Sequence, residues 1–230
     1  MITCSICGEV NDDLTVVCRK CRSFIQAKVD TIDLFAAIWG LMEHPRSTFK
    51  RIVLAKQKNF VMVLSMAFGV ALVIGVFRFL IVGRWMTNVA SLLGVGFLAG
   101  PLTGILVVWV ATAGTLWMSR RLGGTASMRN LRSVFAYSVV PIILALIFVF
   151  PIEFGVFGKY LFDQNPPPAV IDPILYYALF AFHIAAVALA LVLFAIGAAV
   201  ANGFVWWKGA VTSATVLVLA VGVAALVRGL

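Results

Sequence analysis

Phe60-Val61-Met62-Val63-Leu64-Ser65-Met66-Ala67-Phe68-Gly69-Val70-Ala71-Leu72-Val73-Ile74-Gly75-Val76-Phe77-Arg78-Phe79-Leu80-Ile81-Val82-Gly83 contains a single charged side chain, Arg78. A helix needs about 20 mainly apolar residues to cross about 30 Å of hydrocarbon, and this stretch is long enough. Four more stretches qualify: 91–118, 131–150, 174–200 and 209–227. The second includes Gly100-Pro101, where a break is expected. The third includes Pro141, which a membrane helix tolerates when neighbouring groups satisfy the freed carbonyl. Ala201-Asn202-Gly203-Phe204-Val205-Trp206-Trp207-Lys208 reads as a tight turn, with an aromatic pair at headgroup level and a lysine just outside it. The expected fold is an all-α polytopic membrane protein with five transmembrane helices.

Composition excludes the other classes. Of 230 residues, 63% are hydrophobic and 12% charged, with a mean hydropathy of +1.07. Soluble domains run about 45–50% apolar and about 25% charged. Too little polar surface remains here to cover a soluble core of this size, so neither a soluble enzyme nor a disordered chain is compatible with the sequence.

Lys and Arg outnumber Asp and Glu by 18 to 9. With the N-terminus inside and five crossings, inside segments hold 14 basic residues and outside segments three, Arg84, Lys159 and Arg228. The positive-inside rule then predicts a plasma-membrane protein with a cytoplasmic N-terminus and an outside C-terminus. No apolar signal segment precedes the cysteines, which fits an N-terminus that is not exported. The excess charge sets orientation rather than marking a nucleic-acid surface, so no nucleic acid is expected as a partner. The 151–173 stretch, with Glu153, Asp163, Asp172 and the run Asn165-Pro166-Pro167-Pro168, reads as an outside loop.

Three domains follow: a head over 1–27, a linking segment over 28–58 and a membrane domain over 59–230. In the linker, Ile32, Phe35, Trp39 and Met42 recur at helical spacing, with Asp30 or Thr31 as the expected N-cap. Pro45 starts a new turn, and Phe49, Ile52 and Val53 oppose Lys50, Arg51, Lys56 and Lys58. One or two amphipathic helices are expected, either lying in the cytoplasmic interface against anionic lipid or packed on the ends of the spans.

Cys4-Ser5-Ile6-Cys7 and Cys18-Arg19-Lys20-Cys21 are two Cys-x-x-Cys pairs separated by ten residues. Each turn can bring two thiolates to one ion at about 2.3 Å, and two facing turns close the tetrahedron that zinc prefers. Cys4, Cys7, Cys18 and Cys21 are therefore the expected ligands of a structural Zn2+. Disulfides and a rubredoxin-like iron site are the competing readings; a reducing cytoplasm argues against the first and the shortness of the segment against the second. Gly8 suits the first knuckle, whereas Arg22 at the matching place predicts a looser second one. Arg19, Lys20 and Arg22 read as solvated charge or headgroup contacts.

Little in the membrane part suggests chemistry. Arg78 is expected to snorkel at the outer interface, about 27 Å along its helix from Phe60. His183 stands alone at mid-depth, either a proton relay or ligand, or a neutral ring bonded to a neighbouring helix. No catalytic constellation is present, so no enzyme is expected. Gly96, Gly100 and Gly104, and Ala67, Ala71 and Gly75, are spaced for close helix approach within the bundle or in a homo-oligomer.

Two stretches carry a family resemblance: Leu41-Met42-Glu43-His44-Pro45-Arg46-Ser47-Thr48-Phe49-Lys50-Arg51-Ile52 before the first span, and Leu122-Gly123-Gly124-Thr125-Ala126-Ser127-Met128-Arg129-Asn130-Leu131-Arg132-Ser133-Val134-Phe135-Ala136-Tyr137-Ser138-Val139-Val140-Pro141 leading into the third. With five spans, they resemble the Yip family over residues 34–228, and the head resembles the short zinc ribbon of many prokaryotic membrane proteins. The resemblance implies a cytoplasmic N-terminus and a five-helix bundle. Eukaryotic members interact with Rab-type GTPases in vesicle trafficking, but their Asp-Leu-Tyr-Gly-Pro motif is absent here. The expected role is non-enzymatic, recruiting an unidentified cytoplasmic protein partner through the ribbon or organising the bilayer. The alternatives are a transporter or channel with His183, Tyr137 and Pro141 near its path, or an accessory subunit of a larger membrane complex.

Overall fold

The computed structural model describes residues 2–12, 14–25, 31–86 and 88–229, with the side chains at 221 and 223–229 outside that set. Lys28, Asp30, the expected boundary at 27–28 and the side chain of Arg228 lie outside the described residues.

The head is a two-stranded antiparallel ribbon, β1 (Ile2–Thr3) paired with β2 (Val10–Asn11), plus a bridge between Val17 and Phe24. The linker forms two helices, α1 (Leu34–Glu43) and α2 (Pro45–Leu54). The cap of α1 is Asp33 rather than Asp30 or Thr31; its carboxylate accepts from the Ala36 N–H at 2.9 Å. Pro45 stands in the first turn of α2, where its missing N–H costs nothing.

The two readings of the linker divide between these helices. Phe49 and Ile52 of α2 are fully buried in the main core. The Phe49 ring lies where a Cβ on Gly197 would have to go, so α2 is inserted into one end of the bundle. On α1, Ala37 and Leu41 turn inward while Phe35, Trp39 and Met42 remain exposed.

Four helices are long and apolar enough to span a membrane among the described residues: α3 (Val61–Phe79), α4 (Val89–Arg121), α5 (Met128–Phe157) and, beyond the short α6 (Tyr160–Asp163) and α7 (Pro168–Ile171), α8 (Pro173–Asn202). The expected count was five. The fifth stretch, 209–227, falls in α9 (Trp206–Gly229), most of whose last turns lack described side chains.

Gly100-Pro101 does not break α4, which continues for 33 residues with Pro101 inside it. One missing hydrogen bond does not end a helix whose backbone is packed directly on its neighbour. A Cβ on Gly69 would overlap the backbone of Gly100 and Gly104, and one on Gly100 would overlap that of Val70. Ser65, Gly69 and Val70 therefore form the contact stripe of α3 against α4; of the expected Ala67, Ala71 and Gly75, Ala67 packs on the core and Gly75 faces open space. The rings of Phe68, Phe135 and Phe194 then tie α3, α5 and α8 together edge to face, with centroids 5.9 and 5.3 Å apart.

The third span is longer than expected. Its regular α-helix is interrupted at Val139, just before Pro141, winds into a π-turn at Ala145–Val149 and continues to Phe157. Most of the expected 151–173 loop is therefore helical, and Phe157, Leu161 and Phe162 are buried as a cap beside Leu92 and Leu179.

The α3–α4 contact makes a direct prediction. Gly69→Ala is expected to destabilise the bundle by about 3 kcal/mol or more, since backbone cannot yield as a side chain would. Gly75→Ala is expected to change stability by less than about 0.5 kcal/mol. Thermal unfolding in mild detergent checks both.

Candidate functional site

The head brings its four cysteines together. The sulfurs of Cys4, Cys7, Cys18 and Cys21 all lie within 4.8 Å of one another, with Cys4–Cys21 at 3.6 Å and Cys7–Cys18 at 3.5 Å. Thiolates bound at about 2.3 Å around a tetrahedral ion stand about 3.8 Å apart, so the set fits one ion without rearrangement of the chain.

The two knuckles are built alike. Cys4 N–H donates to Glu9 O and Gly8 N–H to Cys4 O; Cys18 N–H donates to Ser23 O and Arg22 N–H to Cys18 O, at 2.8–3.0 Å throughout. Gly8 and Arg22 are both left-handed, at φ 72 and 57. The second knuckle is thus no looser than the first. Arg22 adopts the conformation that Gly8 takes freely, at a cost of about 1–2 kcal/mol that the closed turn offsets.

The thiols differ in acidity. The Ser23 hydroxyl and the backbone N–H groups of Cys7 and Ile6 lower Cys4 to about 6. At Cys7 the Glu9 backbone N–H favours the thiolate, but burial and the three neighbouring sulfurs outweigh it and push the thiol up to about 12. Hydrogen bonding by the Cys21 backbone lowers Cys18. Four adjacent thiolates cannot all carry charge unless a cation stands among them.

The basic residues beside the knuckles are largely neutralised. Arg19 pairs with Asp12 at 2.7 Å and Lys20 with Glu9 at 3.6 Å, both on the surface. Such exposed pairs contribute about 0–1 kcal/mol, and they leave no basic patch at Arg19 and Lys20.

Where the α4–α5 loop meets the α8–α9 turn, the polar groups form a lattice. Asn202 accepts from Ala126 N–H at 3.1 Å and donates to Ser119 Oγ at 3.3 Å and Ala198 O at 2.9 Å. Gly124 lies so close to Asn202 and Phe204 that a Cβ would overlap both. Lys208, expected just outside the headgroup-level aromatic pair, donates to Leu122 O at 3.0 Å and lies over the rings of Phe204 and Trp207.

Nearby, Tyr137 is fully buried and donates to Asn59 O at 3.0 Å, and Arg129 donates to Lys56 O at 2.8 Å. Lys58 donates to Ile52 O and Val53 O at the end of α2. Burial, with the positive charge of Arg129, pushes the Lys58 ammonium down to about 8.

Toward the other end the structure overturns three expectations. Arg78 does not snorkel: its Nη1 donates to Glu153 Oε1 and Oε2, at 3.1 and 3.2 Å. Glu153 is not in an outside loop; it lies in the last turns of α5 with its side chain 1% exposed. Nor is His183 without an acid at its depth, because its Nε2 lies 3.7 Å from Glu153 Oε2. The Arg78 guanidinium also covers the rings of Tyr176 and Phe180, at 5.5 and 5.9 Å.

Sequence reading missed Glu153 because the third span was ended at residue 150. The apolar run Phe154-Gly155-Val156-Phe157 beyond it was the available signal, as was the lone arginine in need of a counter-charge. Tyr137 and Pro141 do not join His183. Tyr137 lies 16 residues before Glu153, about 24 Å along a helix.

Two predictions follow from this geometry. Protein purified without chelator is expected to contain one metal ion per chain by elemental analysis, and Cys4→Ser with Cys18→Ser is expected to abolish it. Glu153→Gln is expected to destabilise the bundle by about 3–5 kcal/mol, because it leaves the arginine charge buried and unpaired. Arg78→Met combined with Glu153→Met should recover most of that loss, and strictly additive losses in a double-mutant cycle would contradict the pairing.

No curated protein and no solved structure matches the sequence. The family model of the Yip1 domain matches residues 39–227, from the second half of α1 into α9, leaving the cysteine head outside. The span pattern, the Gly-Gly loop held by Asn202 and the Tyr137 anchor all fall within that match, and the chain belongs to the Yip1 domain family of membrane proteins.

Proposed function

We propose that this protein is a non-enzymatic recruitment and membrane-organising factor. In this reading the bundle is the anchor, and the head, closed around a structural Zn2+, is the docking surface for a protein partner at the cytoplasmic face. The observation that carries the reading is the division of the head. Its sulfurs converge inward while Ile6, Val10 and Phe24 stay exposed. Zinc held by four thiolates keeps no open position for a catalytic water, so it acts as a staple.

The N-terminus-inside orientation and the plasma membrane belong to the same proposal. Lys56, Arg129 and Lys208 all hydrogen-bond among the segments at the α2 end of the bundle, which supports that end as the basic, cytoplasmic one. The exposed Phe35, Trp39 and Met42 of α1 support contact with the bilayer interface there, with no nucleic acid involved.

A second reading, a transporter or channel, is favoured by one observation, the buried ionisable cluster at Glu153. Proteoliposome flux abolished by His183→Ala would establish it.

Comparative purification in mild detergent tests the first reading. Co-purifying protein is expected with the full chain and is expected to be lost on deleting residues 1–24 or with Cys4→Ser, while bundle unfolding is unchanged. Partners retained equally without the head would contradict it.

A further inference from the structure

Glu153 offers two oxygens to neighbours on two other helices. From α3, Arg78 reaches both through Nη1 alone, and its buried Nη2 has no hydrogen-bond partner. This is not the two-nitrogen fork of the strongest arginine–carboxylate pairs, and it leaves acceptor capacity on Oε2. From α8, the His183 ring brings Nε2 to 3.7 Å from that oxygen.

The other ring nitrogen fixes what Nε2 can be. Nδ1 lies 3.1 Å from the Leu179 carbonyl oxygen. A carbonyl only accepts, so Nδ1 carries a proton and donates it. In the neutral ring Nε2 is then bare, and its lone pair faces a carboxylate oxygen. That contact is repulsive without a proton between the two atoms and attractive with one.

We propose that Glu153 and His183 form a proton-binding site within the bundle, with Arg78 as its fixed counter-charge. The ligand is a proton taken from water and carried on Nε2, where it faces Oε2 at ion-pair distance; no other bond forms or breaks. Uptake changes the charge of the cluster from zero to plus one. Arg78 and the protonated ring then share one carboxylate, so proton occupancy is felt by α3, α5 and α8 together.

Among the described residues, no further charge forms an ion pair with the cluster. Tyr176 of α8 lies under the Arg78 guanidinium. In the adjoining cap, Arg84 donates to Asp163 O and Lys159 lies over Tyr160, and among the described residues none of the three charges ion-pairs with the cluster. The charges of α4, Arg120 and Arg121, stand in its last turn, at the opposite end. The site does not depend on whether the bundle anchors a docking head or carries a substrate.

Only two histidines occur in the chain, so His44→Gln, at an exposed position, leaves one imidazole to observe. The experiment is 15N NMR of ring-labelled His44→Gln protein in lipid nanodiscs between about pH 5 and 9. The expected result is a single titration at Nε2 with Nδ1 protonated throughout. Adding Glu153→Gln and adding Arg78→Gln should move its midpoint in opposite directions, each by about one pH unit or more, a tenfold change in proton affinity. Glu153→Asp, which keeps the charge and withdraws the oxygen, supplies the shift if the glutamine variants do not fold. A ring that stays neutral across the range, or a midpoint indifferent to these substitutions, would overturn the proposal.

Discussion

The interaction on which the bundle turns is the ion pair between Arg78 and Glu153. A guanidinium in the last turn of an apolar helix has two outlets, water at the interface or a counter-charge inside the protein. Here it takes the second, and the geometry around it follows. α5 has to continue past Pro151 for Glu153 to reach α3. Phe157, Leu161 and Phe162 are then drawn in as a cap. α8 meets the pair with aromatic faces under the guanidinium and one imidazole beside the carboxylate. Such a pair contributes little net stability over an apolar replacement, but losing one member leaves a charge with nowhere to go.

The opposite end is held by close contacts and by hydrogen bonds, some of them donated by Lys58, Arg129 and Lys208 to backbone carbonyls. Tyr137 reaches Asn59, Asn202 holds the Gly-Gly loop, and Phe49 fills the space left by Gly197. The residues that made the sequence resemble a family therefore have packing roles. Gly124 is small because Asn202 and Phe204 leave no room for a side chain, and the tyrosine before Pro141 is an anchor for the segment entering α3. Family membership, seen in the match over residues 39–227, and this network describe the same part of the chain.

Periodicity and apolar length made the helical class and four of the spans legible, because hydrocarbon permits few other solutions to backbone hydrogen bonding. The cysteine spacing foretold the convergence of the four sulfurs. Harder to read were contacts between distant elements. Nothing local distinguishes Gly69, which meets α4, from Gly75, which faces open space. Asp33 and Thr31 are both good caps by type, and it is Asp33, next to the buried Ile32, whose side chain caps α1. Arg22 takes a left-handed turn that its residue type disfavours, because the knuckle closes around it. The largest departure came from ending a span three residues short of Glu153, which turned an interior acid into a loop residue.

The central claim is that Arg78 is neutralised inside the bundle rather than at the membrane surface. Dipolar-coupling solid-state NMR between 15N in the Arg78 guanidinium and 13C in the Glu153 carboxyl, in lipid bilayers, measures this directly. The account predicts strong coupling, as for the nitrogen–oxygen separations of 3.1 and 3.2 Å, with the guanidinium shielded from water. Absence of coupling, with the arginine in contact with water and headgroup phosphate, would contradict it.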